Sequence, residues 1–220
     1  MRSDFAVFIL THGRADNVVT YRTLRSQGYT GRIVIVIDNT DKQGDRYREV
    51  FAGKPGVEVY CFDKSAVEDF DIADNRGGRK CVVFARNASW PIAESLGLRY
   101  FLQLDDDYSR FEWRYTADGQ WLTVTRVGHT AKVQNLDRVF DLYVGFMEQT
   151  PARTIAMGQG GDFIGGHQSA NAGRKLHRKA MNSFFCAVDR PLGFVGRINE
   201  DTTTYTWRAT MGDLFFTFRS

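Results

Sequence analysis

No apolar run in this chain reaches the roughly 18 residues that a membrane-spanning helix needs, so no membrane span and no membrane partner are expected. Residues 1–10, MRSDFAVFIL, lack both the apolar h-region and the small-residue cleavage site of a secretory signal. Cysteine is scarce: Cys61, Cys81 and Cys186 are scattered, and no CxxC pair occurs. That argues against a disulfide framework and against a cysteine-rich metal centre, and fits a reducing cytoplasm. There is no G-x-x-x-x-G-K-[ST] phosphate loop, no internal repeat and no low-complexity tail. What remains is an ordinary soluble composition, 43% hydrophobic and 25% charged, and a net charge of +3 too mild to demand a polyanionic partner. A chain of 220 residues suggests one domain, long enough to bury a sizeable core.

Four segments read as strands: FAVFILT (5–11), GRIVIVIDNTD (31–41), GVEVYCFD (56–63) and LRYFLQLDDD (98–107). Near-continuous apolar strands indicate burial on both faces, as in a parallel sheet. Between them, residues 15–28 and 79–97 read as helices, the second interrupted by Pro91. Alternation of strand and helix gives an α/β sandwich. Further on, residues 113–126 suggest a hairpin around Asp118-Gly119, and residues 133–150 an amphipathic helix. Residues 154–173 read as a strand running into a glycine-rich loop, and 181–190 and 213–220 as strands.

Ligands of parallel α/β sheets bind beyond the carboxyl ends of the strands. Four groups fall there: Thr11-His12-Gly13-Arg14, Asp38, Asp63 and the triplet Asp105-Asp106-Asp107. Adjacent carboxylates repel, so the triplet needs a positive charge nearby. Side chains alternate in an extended chain, which lets Asp105 and Asp107 share a side. Two convergent carboxylates suit Mg²⁺ or Mn²⁺, whose other ligands are water and phosphate oxygens. The plainer alternative is a solvated acidic turn.

The stretch VFARNASWPIAESLGLRYFLQLDDD (83–107) resembles the ARN…FLDxDD segment of family-2-type GT-A glycosyltransferases, and residues 5–41 resemble their opening strand–helix–strand. The likeness covers about the first half of the chain. It departs at His12-Gly13-Arg14 in the first loop and at Ser89-Trp90 after Ala88. Within that superfamily the look is of the TET-associated glycosyltransferases of phages, which are thought to attach sugars to hydroxymethylated pyrimidines in DNA.

The resemblance implies a GT-A-type nucleotide-binding α/β/α sandwich with a mixed, mainly parallel sheet. Residues 1–110 would form the nucleotide-sugar half and 111–220 the acceptor half. It implies a UDP-sugar donor, a divalent metal (Mn²⁺ or Mg²⁺), DNA with modified bases as partner, and the cytoplasm of a phage-infected bacterium as location. Thr11, Arg14, Asp38, Arg86, Asp105 and Asp106 would hold the donor, and Asp105 and Asp107 the metal. Arginine suits a diphosphate because its planar fork donates paired hydrogen bonds; Arg76 and Arg79 lie near the same edge.

Asn199-Glu200-Asp201 precedes a helical stretch. Acidic residues there serve as helix caps. In inverting GT-A enzymes a similar late pair supplies the general base, which makes Asp201, then Glu200, the catalytic candidates. Residues 163–188 contain no acidic residue but carry Arg174, Lys175, His177, Arg178 and Lys179. Arg174, Lys175, Arg178 and Lys179 could track a phosphate backbone, or form an ordinary surface loop. His167 and His177 are weaker candidates for a third metal ligand. Trp113 and Trp121 offer either a stacking platform or a hydrophobic cover for the sheet. The chain stops soon after the candidate base, which leaves room for a missing C-terminal segment with acceptor contacts. The competing functions are transfer to a protein, glycan or small molecule, nucleotidyl transfer, and a non-catalytic nucleic-acid-binding module. The first loop lacks the lysine-bearing glycine signature of nucleotidyltransferases.

Overall fold

The computed structural model describes residues 2–67, 81–122, 131–163, 180–196 and 199–218. In chain order its elements are β1 (Phe5–Leu10), α1 (Val19–Ser26), β2 (Arg32–Asp38), α2 (Gly44–Phe51), β3 (Val57–Phe62), α3 (Val83–Ser95), β4 (Tyr100–Asp105), α4 (Leu136–Glu148), β5 (Thr154–Met157), β6 (Ser183–Ala187), α5 (Glu200–Thr210) and β7 (Phe215–Phe218). The strands form one sheet in the order β3-β2-β1-β4-β6-β5-β7. β3, β2, β1 and β4 are mutually parallel. β6 runs antiparallel to both β4 and β5, and β5 pairs parallel with β7. This is the expected α/β sandwich on a mixed, mainly parallel sheet.

The continuous apolar strands follow from burial on both faces. In β1, Phe5, Val7 and Ile9 join a core with Leu24, Tyr47, Phe140 and Met147, which brings α1, α2 and α4 onto one face. Ala6, Phe8 and Leu10 point the other way, into a core with Phe84, Ala88, Ile92 and Phe194 from α3 and the segment after β6. Among the described residues no helix is long and apolar enough to cross a membrane.

Two local expectations change. The helix expected over residues 15–28 is a short 3-10 turn, Ala15–Asn17, followed by α1. Gly28 closes it with φ +83°, and a Cβ there would lie 2.4 Å from the Gln134 carbonyl oxygen. α3 runs through Pro91 without a break. The proline ring forfeits one helical hydrogen bond, but the buried side chains on either side of it hold the helix to the sheet. The Asn87 side chain also clamps both the amide and the carbonyl of Phe194, at 2.7 and 2.9 Å. The hairpin expected around Asp118-Gly119 is present in its described part: the Thr116 amide donates to the Gln120 carbonyl and the Leu122 amide to the Arg114 carbonyl, with Tyr115 bridged to Trp121; residues 123–126 lie outside the described part.

Candidate donor cleft and aspartate turn

β1 and β4 are neighbours in register, Leu10 opposite Asp105, while the connections from them lead to opposite halves of the sheet. Such a switch point opens a crevice beyond the strand ends. Here it is a cleft of about 1120 Å³, lined among others by Thr11, His12, Arg14, Asp38, Lys64 and the three aspartates 105–107.

β4 ends at Asp105, and the turn that follows, rather than strand alternation, decides how the aspartates divide. Asp106 turns inward and is buried. It accepts from the Thr11 hydroxyl at 2.7 Å and from Arg14 Nη1 at 2.9 Å. Tyr47 Oη accepts the Arg14 amide at 2.8 Å and shares a 2.9 Å bond with Thr11 Oγ1. Since a carboxylate only accepts, the donors run Tyr47 to Thr11 to Asp106. The first loop and the aspartate turn are thus locked together. Thr20 locks the turn from α1. Its amide donates to the Asp106 carbonyl (3.0 Å), its hydroxyl donates to the Asp105 carbonyl (2.6 Å), and the Tyr108 amide donates back to that hydroxyl (2.9 Å).

All three border the cleft, but Asp106 spends its oxygens on Thr11 and Arg14, whereas Asp105, with its side chain 34% exposed, and the exposed Asp107 present the more open carboxylates. Burial pushes the Asp105 carboxyl above its ordinary range, Arg86 opposes this, and Asp107, Glu200 and Asp106 push it further up. A site whose carboxylates raise one another has an affinity for a cation. Among the described residues no three histidine, cysteine, aspartate or glutamate side chains converge as a metal-holding group. Two neighbouring carboxylates, Asp105 and Asp107, are the described groups that could hold a hard divalent ion keeping water and phosphate oxygens as its other ligands.

Asp38 is a second hub. Its Oδ1 accepts from the Thr40 amide (2.9 Å) and hydroxyl; its Oδ2 accepts from His12 Nδ1 (2.9 Å) and Lys64 Nζ (3.3 Å). Asp41 takes the Gly13 amide at 2.8 Å and the Gln43 amide at 2.9 Å. Asp63 does not line the cleft. It accepts from Asn39 and caps a 3-10 turn through the Ser65 amide and hydroxyl.

Of the predicted donor and metal residues, the fold brings Thr11, Arg14, Asp38, Asp105, Asp106 and Asp107 to one cleft. Arg86 lies behind it, 1% exposed. Its Nη2 reaches Asp105 at 3.3 Å, and its Nε donates to Glu200 at 2.9 Å. Glu200 is thereby the counter-ion of Arg86, at the first turn of α5. Asp201 is buried at 5%, with Oδ1 accepting the Thr202 amide at 2.7 Å. Arg76, Arg79, Arg174, Lys175, Arg178, Lys179, His167 and His177 lie outside the described residues. Trp121 packs on Tyr115 and Phe163 as a hydrophobic cover, while Trp113 stays 36% exposed on the wall of a smaller cavity of about 190 Å³.

Sequence reasoning missed Lys64, Tyr47 and Thr20. Lys64 follows the strand-end Asp63 directly, so its place beside the cleft was there to be read. Tyr47 lies on α2, whose eight residues bury only Tyr47 and Phe51, too short a stripe to announce a helix. Thr20 gives no signal, because its role is set by backbone atoms of residues 105–108.

No curated protein sequence matches the chain. A family model, TET-Associated Glycosyltransferase, matches residues 5–220. That span carries every element of the sheet, the cleft and the aspartate turn, and the chain belongs to the TET-associated glycosyltransferase family.

Proposed function

We propose that this glycosyltransferase moves a sugar from a nucleotide diphosphate sugar, bound in the cleft with a divalent cation, to the hydroxyl of a hydroxymethylated pyrimidine in DNA. One observation carries the donor half of this reading. At the switch point of the sheet all three aspartates border the cleft, and because the Asp106 oxygens are taken by Thr11 and Arg14, Asp105 and Asp107 are the carboxylates open to a cation. A bound Mn²⁺ or Mg²⁺ would neutralise the diphosphate as it leaves. Asp105 and Asp107 would hold it; Arg14, 56% exposed in its side chain, is placed to donate to phosphate oxygens.

The acceptor oxygen must lose a proton as it attacks the anomeric carbon. Glu200 is committed to Arg86, so Asp201 is the residue assigned to take that proton. The acceptor half rests on the family and on the basic stretch 174–179. A hydroxymethyl group on a stacked base is reached by turning the nucleotide out of the duplex. Transfer to a protein, glycan or small molecule remains the second reading.

The test is a donor screen: nucleotide sugars, Mn²⁺ and DNA containing hydroxymethylcytosine or hydroxymethyluracil, read by mass spectrometry of the nucleosides. Wild type is expected to add a hexose mass. Asp105→Ala, Asp107→Ala and excess chelator are expected to abolish it. Asp201→Asn should keep donor binding and lose about 100- to 10,000-fold in rate. Undiminished transfer in chelator overturns the metal assignment, and near-normal transfer by Asp201→Asn makes that residue a helix cap.

A further inference from the structure

Asp38 is the residue that the family resemblance implies for the donor's base or ribose, yet its carboxylate has nothing left to offer. A carboxylate presents about four lone-pair sites on its two oxygens. Here four donors fill them: the Thr40 amide and hydroxyl on Oδ1, His12 Nδ1 and Lys64 Nζ on Oδ2. Asp38 is also only 6% exposed. His12 is the opposite case. Its side chain is 52% exposed and lines the cleft, and its position is fixed by the 2.9 Å bond to Asp38.

We infer that His12, held by Asp38, is the residue that reads the donor's nucleobase, and that it selects bases whose Watson–Crick ring nitrogen carries a proton. The inference deepens the proposed function and rests on its nucleotide-sugar reading.

The chemistry follows from the tautomer. An ionised carboxylate can only accept, so the Nδ1 facing Asp38 must carry the hydrogen. In the neutral ring, Nε2 is then a bare lone pair, an acceptor on the cleft side. Uracil N3–H donates to such an acceptor. Cytosine N3 is itself a lone pair and meets it with repulsion. Asp38 therefore acts as a positioning residue: it sets the tautomer and orientation of the ring that makes the contact. The first loop departs from the superfamily pattern at this histidine, so the reading residue could not be carried over from the resemblance and needed the geometry.

UDP and CDP separate this role from a structural one. They share ribose and diphosphate and differ only on the base edge, so their affinity ratio cancels every phosphate, ribose and metal contribution. Calorimetric titration of the full chain with UDP and with CDP, each with Mn²⁺, is expected to show wild type favouring UDP by about tenfold or more. A hydrogen bond plus an avoided lone-pair clash is of that order. In His12→Ala the ratio should fall to within about threefold, while binding of CDP changes little. His12→Gln, whose side-chain oxygen can again accept, should recover part of the preference. Melting curves of the variants check that the exposed substitutions leave the fold in place. If wild type binds UDP and CDP equally, or if His12→Ala weakens both by the same factor, the inference is overturned and His12 merely shapes the loop. If wild type binds neither of these diphosphates, nor GDP or ADP, the donor-cleft reading fails, and this inference fails with it.

Discussion

Arg86 carries its guanidinium at 1% exposure between Asp105, Glu200 and the faces of Phe184 and Phe194, 5.0 and 5.5 Å from the ring centroids. Removing one partner of a buried ion pair leaves the other uncompensated, which costs about 3–5 kcal/mol. Arg86→Ala is expected to lose stability in that range in urea unfolding, and Arg86→Ala combined with Glu200→Gln to lose less than the sum of the two single changes. Additive losses would mean that the 2.9 Å contact is not a working pair in solution. The ARN-type motif places this arginine beside the aspartates, but not how deeply: that is set by Phe184 and Phe194, about a hundred residues away. Asp38 tests the other hub. Burial alone would raise its carboxyl, but the Thr40 hydroxyl and amide, then Lys64 and His12, bring it below the ordinary 3.8. A carboxyl depressed in the folded state stabilises the fold above its unfolded pKa, and the contribution is lost as pH falls through the folded value. Asp38→Asn should therefore melt below wild type at pH 7, and the gap should close as pH drops below the ordinary 3.8. A gap that stays constant into strong acid would assign the loss to packing rather than charge.

At the scale of elements, the cleft is made by short segments that cross-link one another rather than by any single motif. Thr20, at the start of α1, ties down the Asp105 and Asp106 carbonyls and the Tyr108 amide. Thr20→Val keeps the shape and removes the hydroxyl, leaving buried backbone groups unmet. The expected cost is about 1–3 kcal/mol for a group left without its partner, together with weaker Mn²⁺-dependent UDP binding, because the turn that aims Asp105 and Asp107 loosens. Unchanged metal-dependent affinity would show that the turn holds its shape without α1. The strands that support this arrangement were legible: β1, β2 and β4 are apolar on both faces, and their ends placed Thr11, Asp38 and the aspartates correctly. The helices were less so. α2 has too few buried residues to show a period, and Pro91 looks like a break although α3 continues, because tertiary packing outweighs one lost hydrogen bond. Strand direction was also hidden, since β6 reads as apolar whichever way it runs, and its antiparallel course shows only in the pairing with Tyr100–Leu104.

For the whole molecule, the sheet divides the work. The parallel β3-β2-β1-β4 half ends in the cleft, and β6, β5 and β7 extend the sheet on the far side of β4. The net charge of +3 is modest, but it is unevenly spread along the chain: residues 163–188 carry Arg174, Lys175, Arg178 and Lys179 and no acid. Affinity for DNA that comes from phosphate contacts falls with salt, because each contact releases condensed counterions. The slope of log affinity against log salt changes by about 0.9 per contact on duplex DNA. If the basic stretch touches the backbone, changing all four residues to Gln should weaken DNA binding and flatten that slope by up to about 3.6, four times the single-contact value. If that stretch serves the acceptor alone, UDP binding should be untouched. Fluorescence anisotropy of labelled duplex across a salt series measures both quantities on one preparation. A slope that does not move places the phosphate contacts elsewhere on the molecule. A wild-type protein that binds UDP but shows no salt-dependent DNA binding turns the acceptor from DNA to a protein, a glycan or a small molecule, and leaves the donor chemistry as it stands.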